Sequence, residues 1–203
     1  MKVIKKIIVY VLFFIFLIDY NDLDLDNIKK LKNINKDIIG TIIYCNREDI
    51  ILHSYDNNYY MYHNYLKSRS YSGEIFLDYR NSINDKILII YGHSSDIFNT
   101  SFSILKNYLN EVYYLNNRYI KIKLVDKYYV YKLVSIFIED NDFSYLKIKI
   151  NDYDKHYKYL LNKSIYDNDI NIDKRDRVLI IQTCYEDKYL VLVSKLVEEV
   201  YYG

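Results

Sequence analysis

A chain of 203 residues, 51% of them hydrophobic, is long enough to bury one core of ordinary size. Its 28 basic and 27 acidic side chains nearly cancel to a formal charge of +1, so it lacks the basic footprint of a nucleic-acid binder. Two cysteines make no disulfide framework, and with four scattered histidines they show no zinc-type spacing, so two free thiols and no metal are expected.

The 27 tyrosines accompany abundant Ile, Asn, Lys and Asp, all with AT-rich codons, and so read as compositional drift and not as a stacking platform. With no proline and four glycines, turns are poorly marked.

Lys2, Lys5 and Lys6 precede an apolar run over 7–18, and Asp19, Asp22, Asp24 and Asp26 follow it. As a helix that run reaches about 18 Å against a bilayer core of about 30 Å. Val3 and Ile4 lengthen it, and the lysines can snorkel. No small residues mark a cleavage site near position 20. A buried helix would explain the apolar residues but not the charge asymmetry. Residues 1–20 are therefore expected to be an uncleaved signal anchor, making this a single-pass cell-membrane protein with its remainder outside the cytoplasm. Residues 21–36 form a polar linker passing into a short helix, with Leu25, Ile28, Leu31 and Ile34 at helical spacing.

The remainder, 37–203, is expected to be one mostly-β domain. Strands are predicted over 38–45 and 49–54, joined as a hairpin, then over 73–78 and 86–93. Ile120, Ile122 and Leu124 alternate with Lys121 and Lys123, marking a half-buried strand over 118–126. Runs over 128–139, 177–184 and 189–197 bring the number to eight, with helices predicted at 57–66, 101–109 and 154–161. Eight short strands with few helices suggest a closed β-barrel, since closure removes exposed edges.

Two residues stand out for chemistry. Cys184 ends the apolar run "VLIIQT" at the lip of a tight hairpin, where a cysteine is either a small core residue or an accessible thiol. A free thiol titrates near 8.5 and needs a histidine or cationic neighbour to become a useful nucleophile. His93 follows "ILIIYG" and precedes "SSD", so an apolar strand delivers it onto a loop, where catalytic groups tend to sit. His53, His63 and His156 lie in strand-like or tyrosine-rich helix-like surroundings and read as structural.

"YGHS" at 91–94 and "TC" at 183–184, with a strand after the cysteine, resemble the sortases, the cysteine transpeptidases of Gram-positive surfaces. The resemblance covers essentially the whole chain. "YDNNYYMYH" (55–63), "SGEIFLDYRNS" (72–82) and "FIEDNDFSYLKI" (137–148) are most similar to class B. It implies an eight-stranded barrel, no cofactor and a monomer. Cys184 would attack the threonine carbonyl of an Asn-Pro-x-Thr-x sorting signal, and His93 would protonate the departing amine. An amine of a cell-wall precursor or a pilin would then resolve the thioester. Asn57, Ser94, Gln182, Thr183 and Lys188 would contact the sorting peptide.

Three departures accompany the resemblance. Ser94 stands where asparagine is common, and Gln182 where serine is common. Tyr189 stands where the family carries a catalytic arginine, and is the candidate replacement for it. A degenerate sortase that binds sorting signals without turnover, and a thiol protease releasing its peptide to water, are the rival readings.

Overall fold

The computed structural model describes residues 25–98, 100–167 and 170–202, so the expected anchor over 1–20 lies outside the described residues. Eight strands form in chain order: β1 (Ile38–Tyr44), β2 (Arg47–His53), β3 (Ile75–Leu77), β4 (Ile87–Tyr91), β5 (Tyr119–Lys123), β6 (Lys127–Glu139), β7 (Val178–Tyr185) and β8 (Lys188–Tyr201). They close into the expected barrel in the order β1-β2-β3-β4-β7-β8-β6-β5. The β2–β3 and β4–β7 pairs are parallel and the rest antiparallel.

Alternation along the strands builds two cores from one sheet. Leu88, Ile90, Leu179, Ile181, Leu190 and Leu192 point into the barrel, where Phe102, Tyr129 and Tyr131 join them. Their neighbours Ile87, Ile89, Val178, Ile180, Val191 and Val193 point outward, beneath Tyr145, Tyr157 and Leu160. Strands buried on both faces read as unbroken apolar runs, which is why "ILII" and "VLII" show no period of two.

Among the described residues three α-helices flank the barrel: α1 (Leu25–Ile34), α2 (Glu111–Asn116) and α3 (Tyr153–Asn162). Helix α1 buries Ile28 and leans Leu31 on a third cluster with Ile38, Tyr60 and Phe76, whereas Ile34, expected on its apolar face, is exposed. Asp152 caps α3 by accepting from the Lys155 amide, and the expected helix at 101–109 is a 3₁₀ helix.

The helix predicted at 57–66 does not form; that segment is a chain of turns. Asp56 Oδ1 accepts from the amides of Asn58 and Tyr59, and Asn64 Oδ1 from those of Leu66 and Ser68. Short polar side chains thereby outcompete the helical backbone bonds.

Candidate active site

The site is built by register. In the β7–β8 hairpin Cys184 lies directly opposite Tyr189, and on β8's other side Tyr189 lies opposite Glu139. Residues directly opposite share a face, so Cys184, Tyr189 and Glu139 form a row on the barrel's outer surface, with Cβ atoms of neighbours about 5 Å apart. The β4–β7 pair runs to Tyr91 opposite Gln182, and Thr183 Oγ1 then donates to the Gly92 carbonyl at 2.8 Å. That bond carries the alignment one residue past the end of β4, and the same parallel register continued one further step sets position 93 against position 184. Gly92 is required there by close approach, since a Cβ would meet the Phe102 ring at 2.5 Å.

His93 is held from behind. Its Nε2 lies 2.8 Å from the Met61 carbonyl oxygen, which can only accept, so Nε2 carries a proton and Nδ1 is the free nitrogen of the neutral ring. Gly73, at φ +56°, lets the backbone fold against the imidazole, because a Cβ there would meet His93 Cδ2 at 2.9 Å.

Cys184 is exposed. Partial burial of the thiol pushes its pKa up, and no group beside it pulls the value down. Among the described residues no hydrogen bond or ion pair reaches Sγ, so nothing beside it favours the thiolate.

Tyr189 shares the face of Cys184. Its ring meets Phe143 edge-on at 5.3 Å, and its hydroxyl makes no hydrogen bond among the described residues. Lys188 pairs with Tyr185 and so falls on the opposite face, away from the thiol.

Gln182, two residues before Cys184 and on its face, accepts a 2.7 Å hydrogen bond from the Tyr145 hydroxyl. The Thr183 hydroxyl is spent on Gly92, so it aligns strands instead of facing a ligand. Asn57 is likewise committed, donating to Asp78 at 3.1 Å and accepting from the Tyr79 amide at 2.9 Å. Ser94 is half-buried on the loop just after His93.

Sequence reasoning missed the support beneath this row. Fully buried Asp78 accepts from Arg80 Nε and Nη2, each at 2.8 Å, and from the Tyr91 hydroxyl at 2.8 Å. Burial alone would raise its pKa, but these donors, with the Arg80 amide and Asn57, hold the carboxyl below its ordinary range. Arg80 is thus committed to Asp78 and exerts no pull on the Cys184 thiol. Glu139 pairs with Lys163, which also lies 3.6 Å from Asp142. Tyr145 was missed as well; only its place in "FSYL" beside Phe143 could have drawn attention to it.

No family model matches the chain. The chain is 29% identical over 184 residues to the sortase B of Listeria monocytogenes, spanning 85% of this chain and 74% of that one. It is 28% identical over 186 residues to the sortase B of Staphylococcus aureus, spanning 84% and 74%. The crystal structure of Clostridium perfringens sortase B superposes with a TM-score of 0.78 at 30% identity, over 84% of this chain and 99% of that one.

Proposed function

The chain belongs to the class B sortases and is a cysteine transpeptidase, and from that premise we propose that Cys184 is its nucleophile and His93 its acid–base partner. What supports this assignment is the parallel register of β4 and β7, which, continued past Tyr91–Gln182 and the Thr183–Gly92 bond, aligns position 93 with position 184 on the outer face.

The substrate is a peptide carrying Asn-Pro-x-Thr-x. Cys184 passes its proton to His93 as its sulfur adds to the threonine carbonyl. The tetrahedral intermediate collapses, the peptide C–N bond breaks, and His93 gives the departing amine its proton. A primary amine then attacks the thioester, passes a proton back to His93 and expels the thiolate. Two acyl transfers replace one difficult amide exchange. Incubating the full-length protein with such a peptide and triglycine, followed by mass spectrometry, tests the proposal. Ligated peptide is expected. Hydrolysed peptide would indicate a protease. Intact peptide that still binds would indicate the degenerate reading.

Tyr189 takes the arginine's place as a neutral donor to the developing oxyanion. Its support is the cross-strand pairing with Cys184 and a hydroxyl left without a protein partner among the described residues. A phenol donates one neutral hydrogen bond, weaker than a charge-assisted pair. Tyr189→Phe should lower kcat by up to about tenfold, the worth of one such bond. Tyr189→Arg should raise it, and Lys188→Ala should leave it near the parent value. A silent Tyr189→Phe would remove the tyrosine from the chemistry.

The segment over 1–20 is the proposed membrane anchor, on the strength of its apolar run and its flanking charges. Among the described residues no helix is long and apolar enough to cross a membrane. Full-length protein should sediment with membranes through a high-pH wash. Recovery in the medium with a trimmed N-terminus would refute anchoring.

A further inference from the structure

We propose that Tyr145 is a positioning residue: it fixes the Gln182 side chain so that its amide N–H groups point into the groove and hold the backbone of the sorting peptide next to Cys184. The proposal rests on the substrate class proposed above and adds a device that compensates for the missing arginine.

Four observations carry it. Gln182 and Cys184 alternate onto the same outer face of β7, on the side of Val178 and Ile180. At about 3.3 Å per residue along a strand, Gln182 sits one to two residues of an extended peptide away from the thiol. The Tyr145 hydroxyl donates to Gln182 Oε1 at 2.7 Å, which leaves the carbonyl end of the amide facing Tyr145 and turns Nε2 away. Nε2 meets no acceptor among the described residues and is not sealed from solvent, so its two N–H groups remain available in a half-buried position. An available donor pair of this kind, one strand step from a nucleophile, suits a peptide carbonyl.

Tyr145 is built to hold its place. It is fully buried at the end of the 3₁₀ turn Phe143–Tyr145, whose cap Asp142 accepts from the Ser144 amide. Its ring packs edge-on against Phe137 at 5.7 Å. Burial pushes the phenol pKa up, so the proton it donates stays in place across the physiological range. The same turn places Phe143 against Tyr189. One three-residue turn therefore braces both residues at which the chain departs from its family beside the nucleophile.

The test measures binding of a fluorescent peptide carrying Asn-Pro-Ala-Thr-Gly to the full-length Cys184→Ala protein. Alanine in the variable position leaves backbone contacts to be read there. On this background Gln182→Leu should raise Kd about tenfold, the size of one hydrogen bond. Gln182→Glu keeps the shape and the bond from Tyr145 but loses the donors, and should do the same. Tyr145→Phe should weaken binding severalfold in the presence of Gln182 and add nothing once Gln182 is leucine. With Cys184 restored, Tyr145→Phe should raise KM and leave kcat nearly unchanged, a split that loosened packing alone would not produce. Unchanged binding by both Gln182 variants, or additive losses in the Tyr145→Phe/Gln182→Leu pair, would overturn the proposal. A Cys184→Ala protein that binds no peptide at all would refute the sorting-signal reading and this proposal with it. That result differs from equal, measurable binding by parent and variants.

Discussion

Cys184→Ala should eliminate every thioacyl adduct and all ligated product while leaving the melting temperature close to that of the parent. The side chain sits at the exposed end of β7, outside both barrel cores, so its truncation opens no cavity. Loss should fall to the detection limit, because no other group on that face offers a nucleophilic sulfur. Cys45 is the control. It lies in the β1–β2 turn at φ +50°, half-buried, with its thiol donating to the Tyr108 hydroxyl at 3.2 Å. Burial raises its pKa despite the hydroxyls of Tyr108 and Tyr113, so it is a poor thiolate. Cys45→Ala should retain activity, and the reverse pattern would refute the assignment. Alkylation gives a second readout. Because partial burial raises the Cys184 thiol, labelling by iodoacetamide should climb with pH, with a midpoint above the ordinary value of about 8.5. A midpoint below 7 would mean that a resting thiolate exists and that the geometry described above is incomplete.

The second large effect is expected at His93. A positioned acid–base group contributes about 10²–10⁴-fold, and His93→Ala should lower kcat/KM by that factor in the ligation assay. His93→Asn would keep a donor to the Met61 carbonyl without a titratable ring, and should be equally impaired. The other three histidines are tied up elsewhere. His63 stacks on Tyr59 at 4.3 Å and bonds its carbonyl oxygen, while His53 reaches the Tyr79 carbonyl at 3.4 Å. Burial, reinforced by the Lys147 charge, drops His156 to about 4, so at neutral pH it stays uncharged and makes a poor general acid. Replacing any of the three by glutamine should cost less than threefold in kcat/KM, far below the acid–base contribution. An equal loss at one of them would identify a different partner.

How much of this was legible beforehand follows from where the information resides. The β1–β2 hairpin could be read locally, because two β-rich runs flank a two-residue turn at Cys45 and Asn46, both at positive φ. The strand carrying Lys121 and Lys123 declared itself by alternation, but it is not half-buried as expected, because both lysines are buried; the strands buried on both faces declared themselves by unbroken apolar runs. The helix expected over 57–66 failed because its asparagine and aspartate side chains bond neighbouring amides, a competition that periodicity does not register.

By itself, then, the amino-acid sequence determined the strand inventory and the barrel class and singled out the two candidate reactive side chains, because strand propensity, alternation and a thiol at a strand lip are local properties. Only the tertiary structure decided what surrounds the thiol. The strand that leads to residue 93 lies against the strand that carries residue 184 through a parallel pairing of segments far apart in the chain, and Thr183 extends that pairing to Gly92. Tyr145 reaches Gln182 across 37 positions, and Asp78 gathers Asn57, Arg80 and Tyr91. Such partners are selected by barrel closure and cross-strand register. Register is a relation between strands, and no single segment carries it.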